Sequence, residues 1–154
     1  MTIISKEVNF IPFESFKVGQ KQNFGAYKVT KNEIIEFAKK YDPQFFHLDE
    51  EAAKSSLFGG LCASGWHTCA MTMSMMVKQM NMHGRSLGSP GIDNLRWLLP
   101  VCPGDTLSVE MEVTDTKPSN SRPEIGVVTS LVSVKNDKNN NVMQFICKVI
   151  FSRS

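Results

Sequence analysis

Residues 65–82, GWHTCAMTMSMMVKQMNM, show no wide polar face before Lys78. A helix that is apolar nearly all round is normally a buried helix. The stretch therefore predicts a long helix, from Gly65 to about Met82, at the centre of the fold. Methionine side chains are flexible and fill irregular gaps in a core, so the many methionines here indicate packing rather than a cofactor.

Strand patterns flank this helix in the sequence. Residues 107–114, LSVEMEVT, are apolar at every second position, which is typical of a half-buried strand. Comparable segments predict further strands at about 20–29, 92–98, 126–134 and 143–151, whereas residues 83–91 resemble a loop. One strand, three helices and then four strands predict an α+β fold, in which an antiparallel five-stranded sheet wraps around the long helix.

Two shorter helices are predicted between the first strand and the long helix. Thr30 and Glu33 fit a capping box, in which each side chain accepts a hydrogen bond from the other residue's backbone N–H. Apolar residues then recur at helical spacing as far as Tyr41. Asp49 is a suitable N-cap for a second short helix over residues 50–55.

Asp42 and His47 lie five residues apart, with Pro43 between them. Proline disfavours helical backbone angles for the residue before it, so the two residues cannot share one continuous helix. We expect His47 to lie in a connection just before the helix that Asp49 caps. The turn at Pro43 allows both polar side chains to point at one spot.

Ser64 and Gly65 stand at the predicted start of the long helix. Free backbone N–H groups and the positive end of the helix dipole attract an anion there. An acid/base pair with an oxyanion donor suits chemistry at a carbonyl-activated carbon, so the chain is an enzyme candidate. Ser64 has no base beside it in the sequence and is not favoured as a nucleophile. We expect His67, which would point away from the helix start, in the core or in an interface.

The composition favours one globular domain over residues 1–154. A hydrophobic content of 42% and a charged content of 21% are ordinary for a soluble protein. The net charge of +2, with scattered lysines, does not favour nucleic acid as a partner. No segment approaches the roughly 20 apolar residues of a membrane span. The N-terminus lacks the layout of a signal peptide, so we expect a cytoplasmic protein.

The four cysteines agree with a reducing compartment. There is no Cys-x-x-Cys motif, so the sequence supports neither a zinc site nor a redox motif. Cys62 and Cys69 are too far apart along a continuous helix to form a disulfide. We expect buried free thiols.

Several segments resemble one family of enzymes. Residues 42–47, DPQFFH, are similar to the Asp-x-Asn-Pro-x-His signature of MaoC-like dehydratases, the (R)-specific enoyl-CoA hydratase group. Residues 58–65, FGGLCASG, resemble the Phe-Gly-x-x-Ile-Ala-His-Gly stretch of that family, at the head of its central helix. Residues 90–97 and 100–107 resemble its strand and its Pro-Gly-Asp turn. The resemblance covers about residues 15–152.

This resemblance implies a hot-dog fold and an enzyme that hydrates an enoyl thioester or dehydrates the 3-hydroxyacyl thioester. It places Asp42 and His47 at the two catalytic positions. Gly65 is then the candidate oxyanion donor, with Ser64 beside it. It also implies an (R)-3-hydroxyacyl product, no metal or organic cofactor, and a substrate carried by CoA or by an acyl carrier protein.

The sequence departs from the family pattern at three positions. Gln44 replaces an asparagine, Phe45 a proline, and Ser64 a histidine. Phe45 and Phe46 add bulk beside the expected site, so we expect these substitutions to affect which acyl group the site accepts.

The resemblance further implies a homodimer at least, with two sheets joined edge to edge. The apolar circumference of the long helix agrees with that implication, because one small sheet cannot cover it all. We expect three methionines of this helix to face a partner: Met73, Met76 and Met80.

The sequence is also compatible with two other functions. A hot-dog acyl-CoA thioesterase would direct water at the carbonyl carbon itself. A non-catalytic acyl-CoA-binding protein would have no activity to lose when Asp42 is replaced. The sequence also leaves open which of Asp42 and His47 is the acid and which the base.

Overall fold

A five-stranded antiparallel sheet packs against one long helix in the computed structural model, which describes residues 11–80 and 86–154. The strands are β1 (Lys21–Lys28), β2 (Ser86–Trp97), β3 (Thr106–Pro118), β4 (Ile125–Lys135) and β5 (Asn141–Ser152). The helices are α1 (Lys31–Tyr41), α2 (Phe45–Leu48), α3 (Glu50–Ala53) and α4 (Gly65–Met80), and a 3-10 turn at Phe13–Ser15 precedes β1. The predicted α+β fold is confirmed.

The strand order across the sheet is β1-β3-β4-β5-β2, so β1 and β2 form its two edges. The central strands β3 and β4 alternate between buried and partly exposed residues, as the sequence pattern predicts for strands with one face on the core. The core lies between this sheet and α4. Among the described helices, none is long and apolar enough to cross a membrane.

Helix α4 is buried on one side and exposed on the other. Met71, Met75 and Met76 are at most 5% exposed and belong to the core. Trp66 is 60% exposed and Met73 is 53% exposed, so the helix is not buried all round as predicted, because the sheet covers only one side of it. That three methionines of α4 face a partner stays a prediction: Met73 is exposed, Met76 is 2% exposed in the single chain, and the side chain of Met80 lies outside what the structure describes.

The residues that start and end α1 have the roles that the sequence suggests. The Glu33 N–H donates to Thr30 Oγ1 at 3.3 Å, which is the first half of the capping box. The reciprocal bond does not form, because the Glu33 carboxylate instead accepts from the Tyr27 hydroxyl and contacts His67 Nε2. The helix ends at Tyr41, where Asp42 leaves helical geometry (φ −150°, ψ 68°) just before Pro43.

The sequence predicts that His47 lies in a connection between helices. In the structure it lies instead in the one-turn helix α2. Pro43 ends α1, and the chain resumes helical geometry two residues later. The Asp49 N–H donates to the Phe45 carbonyl at 3.0 Å and closes this turn. Asp49 then caps α3, as predicted, by accepting from two backbone N–H groups, but α3 ends at Ala53, two residues earlier than expected.

Strand β2 begins earlier than the sequence indicates. Residues 86–91, expected as loop, are its first half, and residues 83–85 lie outside the described ranges. Gly88 (φ 124°) and Gly91 (φ 148°) adopt backbone angles that favour glycine, and the pairing with β5 shifts register beside each of them. Because β2 is an edge strand, it also tolerates Pro90, which has no N–H to donate.

Candidate active site

The turn at Pro43 brings Asp42 and His47 together. His47 Nε2 lies 3.3 Å from Asp42 Oδ2. The imidazole is buried, with 7% of its side chain exposed, whereas the Asp42 side chain is 20% exposed. Helix α1 therefore supplies the carboxylate from its C-terminal end, and α2 supplies the imidazole.

The backbone of the segment before α4 fixes the orientation of the imidazole. His47 Nδ1 lies 2.6 Å from the carbonyl oxygen of Cys62. A carbonyl oxygen only accepts hydrogen bonds, so Nδ1 donates to it and carries a proton. Nε2 faces the Asp42 carboxylate across 3.3 Å. In the neutral form of the ring Nε2 is an acceptor, and together with the carboxylate it can bind a molecule that donates two hydrogen bonds, such as water.

The pKa of the Asp42 carboxyl is lowered below its ordinary value of 3.8. Burial raises this pKa, but the Gln44 side-chain amide, the Ser64 hydroxyl and the charge of His47 together lower it by more. The Gln44 amide donates to Asp42 Oδ1 at 2.7 Å. Asp42 is therefore an ionised carboxylate at neutral pH.

The head of α4 offers free donors beside this pair. The first hydrogen bond of the helix runs from the Thr68 N–H to the Ser64 carbonyl at 3.0 Å, so the N–H of Gly65 has no acceptor within the helix. Ser64 is 1% exposed, and its hydroxyl forms no hydrogen bond to another described residue. The hydroxyl is near enough to Asp42 to lower its pKa, yet it does not complete a bond to the carboxylate.

A cavity of about 230 Å³ contacts both His47 and Gly65. Its other walls are mainly apolar side chains, which suits the hydrocarbon part of an acyl group. They include Phe58, Trp97, Val101 and Val142. The cavity thus joins the imidazole, the free helix N–H groups and an apolar compartment.

Trp97 lies directly against Gly65. A Cβ atom added to Gly65 would be 2.3 Å from Cε2 of the indole, which is closer than any real contact. A side chain at position 65 would therefore overlap the Trp97 ring.

Phe45 and Phe46 do not line this cavity. Phe45 is 49% exposed, and Phe46 packs edge-on against His47 with ring centroids 4.5 Å apart. The bulky side chains in the cavity are instead Phe58 and Trp97. Both belong to segments that resemble the family motifs, but sequence spacing does not show that they converge on His47.

His67 is buried, as expected, with 3% of its surface exposed. Its ring stacks on Phe37, with centroids 4.7 Å apart, and Nε2 lies 3.1 Å from Glu33 Oε1. It does not line the cavity that contacts His47.

The structure describes all four cysteines as free thiols, as predicted, although Cys102 is exposed. The Sγ atom of Cys62 lies 3.8 Å from His47 Nδ1. Burial raises the pKa of this thiol to about 11. A thiol that stays protonated is a poor nucleophile. Within residues 11–80 and 86–154, no three His, Cys, Asp or Glu side chains converge to hold a metal ion.

Residues 14–137 match the MaoC-like domain family. The chain is 31% identical to the uncharacterised protein YdeM of Bacillus subtilis over 140 residues, which are 91% of this chain and 98% of that protein. It is also similar to the crystal structure of a MaoC-like dehydratase from Rhodospirillum rubrum. That match has a TM-score of 0.87 and 39% identity, and it covers 94% of this chain and 98% of the other.

An R-hydratase from Pseudomonas aeruginosa has the same fold, with a TM-score of 0.72 and 23% identity over 94% of this chain and 88% of the other. These structural matches confirm the hot-dog fold that the sequence motifs implied.

Proposed function

This chain belongs to the MaoC-like dehydratase family, and from that premise we propose that it adds water to a 2-enoyl thioester, or removes it from the 3-hydroxyacyl thioester. One observation carries the proposal. His47, whose Nε2 is 3.3 Å from Asp42, lines a mainly apolar cavity together with Gly65, which has a free N–H at the head of α4. Asp42 itself is not among the residues that line this cavity. An acid/base pair, an oxyanion donor and an acyl compartment are the parts that this reaction needs.

Asp42 and His47 would hold the reacting water. In the reactive form, with the His47 ring neutral, the ionised carboxylate and Nε2 each accept one of its hydrogens, which leaves an oxygen lone pair free for C3 of the substrate. The Cys62 carbonyl supports this role by keeping the proton of the ring on Nδ1. The lowered pKa of Asp42 supports it by keeping the carboxylate ionised.

The Gly65 N–H would hold the thioester oxygen, which becomes an enolate oxygen when C3 is attacked. The donor sits at the positive end of α4, a helix of 16 residues. Removing one such donor typically slows a reaction by about a hundredfold or more. Ser64, whose hydroxyl is buried and unbonded, would donate to the water or to Asp42 when substrate is present.

The Asp42–His47 pair takes up one proton and gives one proton back in each turnover. The water oxygen bonds to C3 while an O–H bond of the water breaks and its proton passes to the Asp42–His47 pair. The pair then delivers a proton to C2 of the enolate, and a new C–H bond forms. Because the two groups are only 3.3 Å apart, a proton can pass between them, so we assign the roles of acid and base to the pair as a whole. Dehydration follows the same steps in reverse.

We assign the substrate to the acyl thioesters of CoA or acyl carrier protein, and the product to the (R) series. Family membership supports the thioester. The stereochemistry has weaker support, from the fold shared with an R-hydratase.

The test is hydration of crotonyl-CoA, followed by loss of the enoyl-thioester absorbance, with chiral analysis of the 3-hydroxybutyryl product. A parallel assay measures free thiol released from butyryl-CoA. We expect hydration, an (R) product and no thiol release from the saturated thioester. Thiol release without hydration would identify a thioesterase instead. Binding of butyryl-CoA with neither reaction would identify a non-catalytic acyl-binding protein.

A further inference from the structure

We infer that Trp97 is the specificity-determining residue that restricts the proposed hydratase site to short acyl chains. The inference rests on the proposed function and extends it to a substrate class. It assigns to Trp97 the steric role that sequence reasoning gave to Phe45 and Phe46.

The cavity beside His47 is small. At about 230 Å³ it lies below the range of about 300–1,000 Å³ that is usual for pockets that bind drug-sized ligands. Trp97 lines this cavity together with His47 and Gly65, so an acyl chain bound there lies against the indole, the largest side chain in the wall.

Two contacts hold the indole, although Trp97 is 48% exposed. It lies against Gly65, where not even a methyl group fits between the two residues. It also meets the Trp66 ring, with centroids 5.4 Å apart and planes inclined by 78°. Edge-to-face packing of this kind favours one orientation of the ring.

The backbone around Trp97 is held independently of its side chain. Trp97 pairs with Met143 in the sheet, and the Leu98 N–H donates to the Val142 carbonyl at 2.8 Å. The Ala63 N–H likewise donates to the Val101 carbonyl at 2.8 Å. A smaller residue at position 97 therefore enlarges the cavity while the wall stays in place.

The expected effect follows from how strongly an apolar pocket distinguishes substrates of different size. One methylene group more or less in a substrate changes kcat/KM by about 10–200-fold. Removing the whole indole admits several methylene groups. The ratio of kcat/KM for trans-2-decenoyl-CoA to kcat/KM for crotonyl-CoA should therefore rise by at least about tenfold in Trp97→Ala.

The experiment measures this ratio for the wild type, Trp97→Ala, Trp97→Phe and the control Phe45→Ala. Both substrates are assayed on one preparation, so the ratio does not depend on the fraction of protein that is folded. The wild type should prefer crotonyl-CoA, and Trp97→Phe should fall between the wild type and Trp97→Ala. Phe45→Ala removes an aromatic side chain that is 49% exposed and does not line the cavity, and it should keep the wild-type ratio.

A wild type that prefers trans-2-decenoyl-CoA, or a Trp97→Ala ratio within about twofold of the wild type, overturns the inference and leaves the proposed function intact. A wild type that hydrates neither substrate overturns the proposed function. In that case the affinities of the wild type and Trp97→Ala for butyryl-CoA and decanoyl-CoA, measured by calorimetry, test whether Trp97 limits the length of the acyl chain that binds. Unchanged relative affinities in Trp97→Ala then reject the role of Trp97.

Discussion

At the scale of single residues, the site depends on how His47 is held. Its Nδ1 is bonded to the Cys62 carbonyl at 2.6 Å, its ring packs against Phe46, and its Nε2 faces Asp42. Each contact comes from a different segment of chain. The imidazole therefore has one orientation and one tautomer before any substrate arrives, which lowers the cost of organising the reaction.

The first prediction concerns the acid/base pair. Asp42→Asn and His47→Ala should each lower kcat/KM for crotonyl-CoA by at least about a hundredfold, because the first removes the charged carboxylate base and the second removes the imidazole that binds and deprotonates the reacting water. The circular dichroism spectrum should stay that of the wild type. Glu36→Gln is the matched control, since it makes a similar carboxylate-to-amide change at an exposed position of α1. Near-wild-type rates for either site variant would reject the assignment.

The second prediction concerns Gly65. Gly65→Ala should lower the free energy of unfolding by about 1–3 kcal/mol, because the new methyl group overlaps the Trp97 ring. Gly60→Ala is the control, since a Cβ atom at that position meets nothing within 4 Å. Urea unfolding measures both. In the double variant Gly65→Ala/Trp97→Ala, the cost of the alanine at position 65 should largely disappear, and a fully additive loss would contradict the contact.

The sequence predicts the position of the acid/base pair but not the position of Trp97. Asp42 and His47 are only five positions apart and flank a proline, so local chain geometry alone indicates that they converge. Trp97 reaches Gly65 only because the edge strand β2 ends next to the head of α4. No pattern within either segment encodes that distance, so the sequence indicates Phe45 and Phe46 as the bulky residues beside the site instead.

At the scale of the elements, a partly buried polar cluster joins α1, α4 and β1. Glu33 of α1 accepts from the Tyr27 hydroxyl of β1 and lies 3.1 Å from His67 Nε2 of α4. Burial, followed by the neighbouring Glu33, raises the pKa of Tyr27 to about 12. The same α1 delivers Asp42, and the same α4 delivers Gly65. The cluster thus connects the two helices that build the site.

The third prediction follows from the charge of Glu33. Burial raises its pKa, but the Tyr27 hydroxyl and His67 lower it by more, so the folded-state pKa lies below the ordinary 4.5. A lowered carboxyl pKa stabilises the folded protein at pH values above the ordinary pKa, and this stabilisation is lost as the pH falls through the folded-state value. Glu33→Gln should therefore be less stable than the wild type above pH 4.5, and the difference should shrink in more acidic solution.

Urea unfolding at a series of pH values on both sides of 4.5 measures this difference. Glu36→Gln, on the exposed side of the same helix, should show no such shrinking difference. A Glu33→Gln deficit that stays constant as the pH falls would show that the cluster acts through packing and not through the carboxylate charge.

Element boundaries were predictable where one local signal dominates. The Thr30 hydroxyl and Pro43 define the start and the end of α1, and strict alternation defines β3. Strand β2 was only half predicted, since Gly88, Pro90 and Gly91 resemble loop residues. Pairing with β5 makes them a strand, and this long-range contact is absent from the local pattern.

At the scale of the whole molecule, an apolar surface runs along one side of α4 and onto β2. On the helix, Trp66 and Met73 are exposed and lie seven residues apart on one face. On the edge strand, Leu87 is 56% exposed and Ile92 is 45% exposed. A cavity of about 300 Å³ lies between the two elements, lined by Met73 and Ile92 among others.

This surface adjoins unpaired backbone groups. Strand β2 pairs only with β5 among the described strands, so its other side presents free N–H and C=O groups. Exposed edges of this kind are normally covered or paired in soluble proteins. A second copy of the chain satisfies both requirements at once, by pairing β2 with its own equivalent and packing α4 against α4. We propose that the protein is a homodimer joined in this way.

The fourth prediction is therefore a particle of twice the 17.2 kDa of one chain in multi-angle light scattering. Ile92→Glu places a carboxylate on the proposed two-fold interface, where a like charge from the partner would face it, and it should shift the particle towards the monomer. Val18→Glu is the control, because Val18 is 63% exposed and precedes β1 at the opposite edge of the sheet. The cavity that contacts His47 shares Trp97 with the exposed end of β2, so loss of the dimer should also reduce hydration of crotonyl-CoA. A wild type that is fully active as a 17.2 kDa monomer would contradict both the assembly and its link to the site.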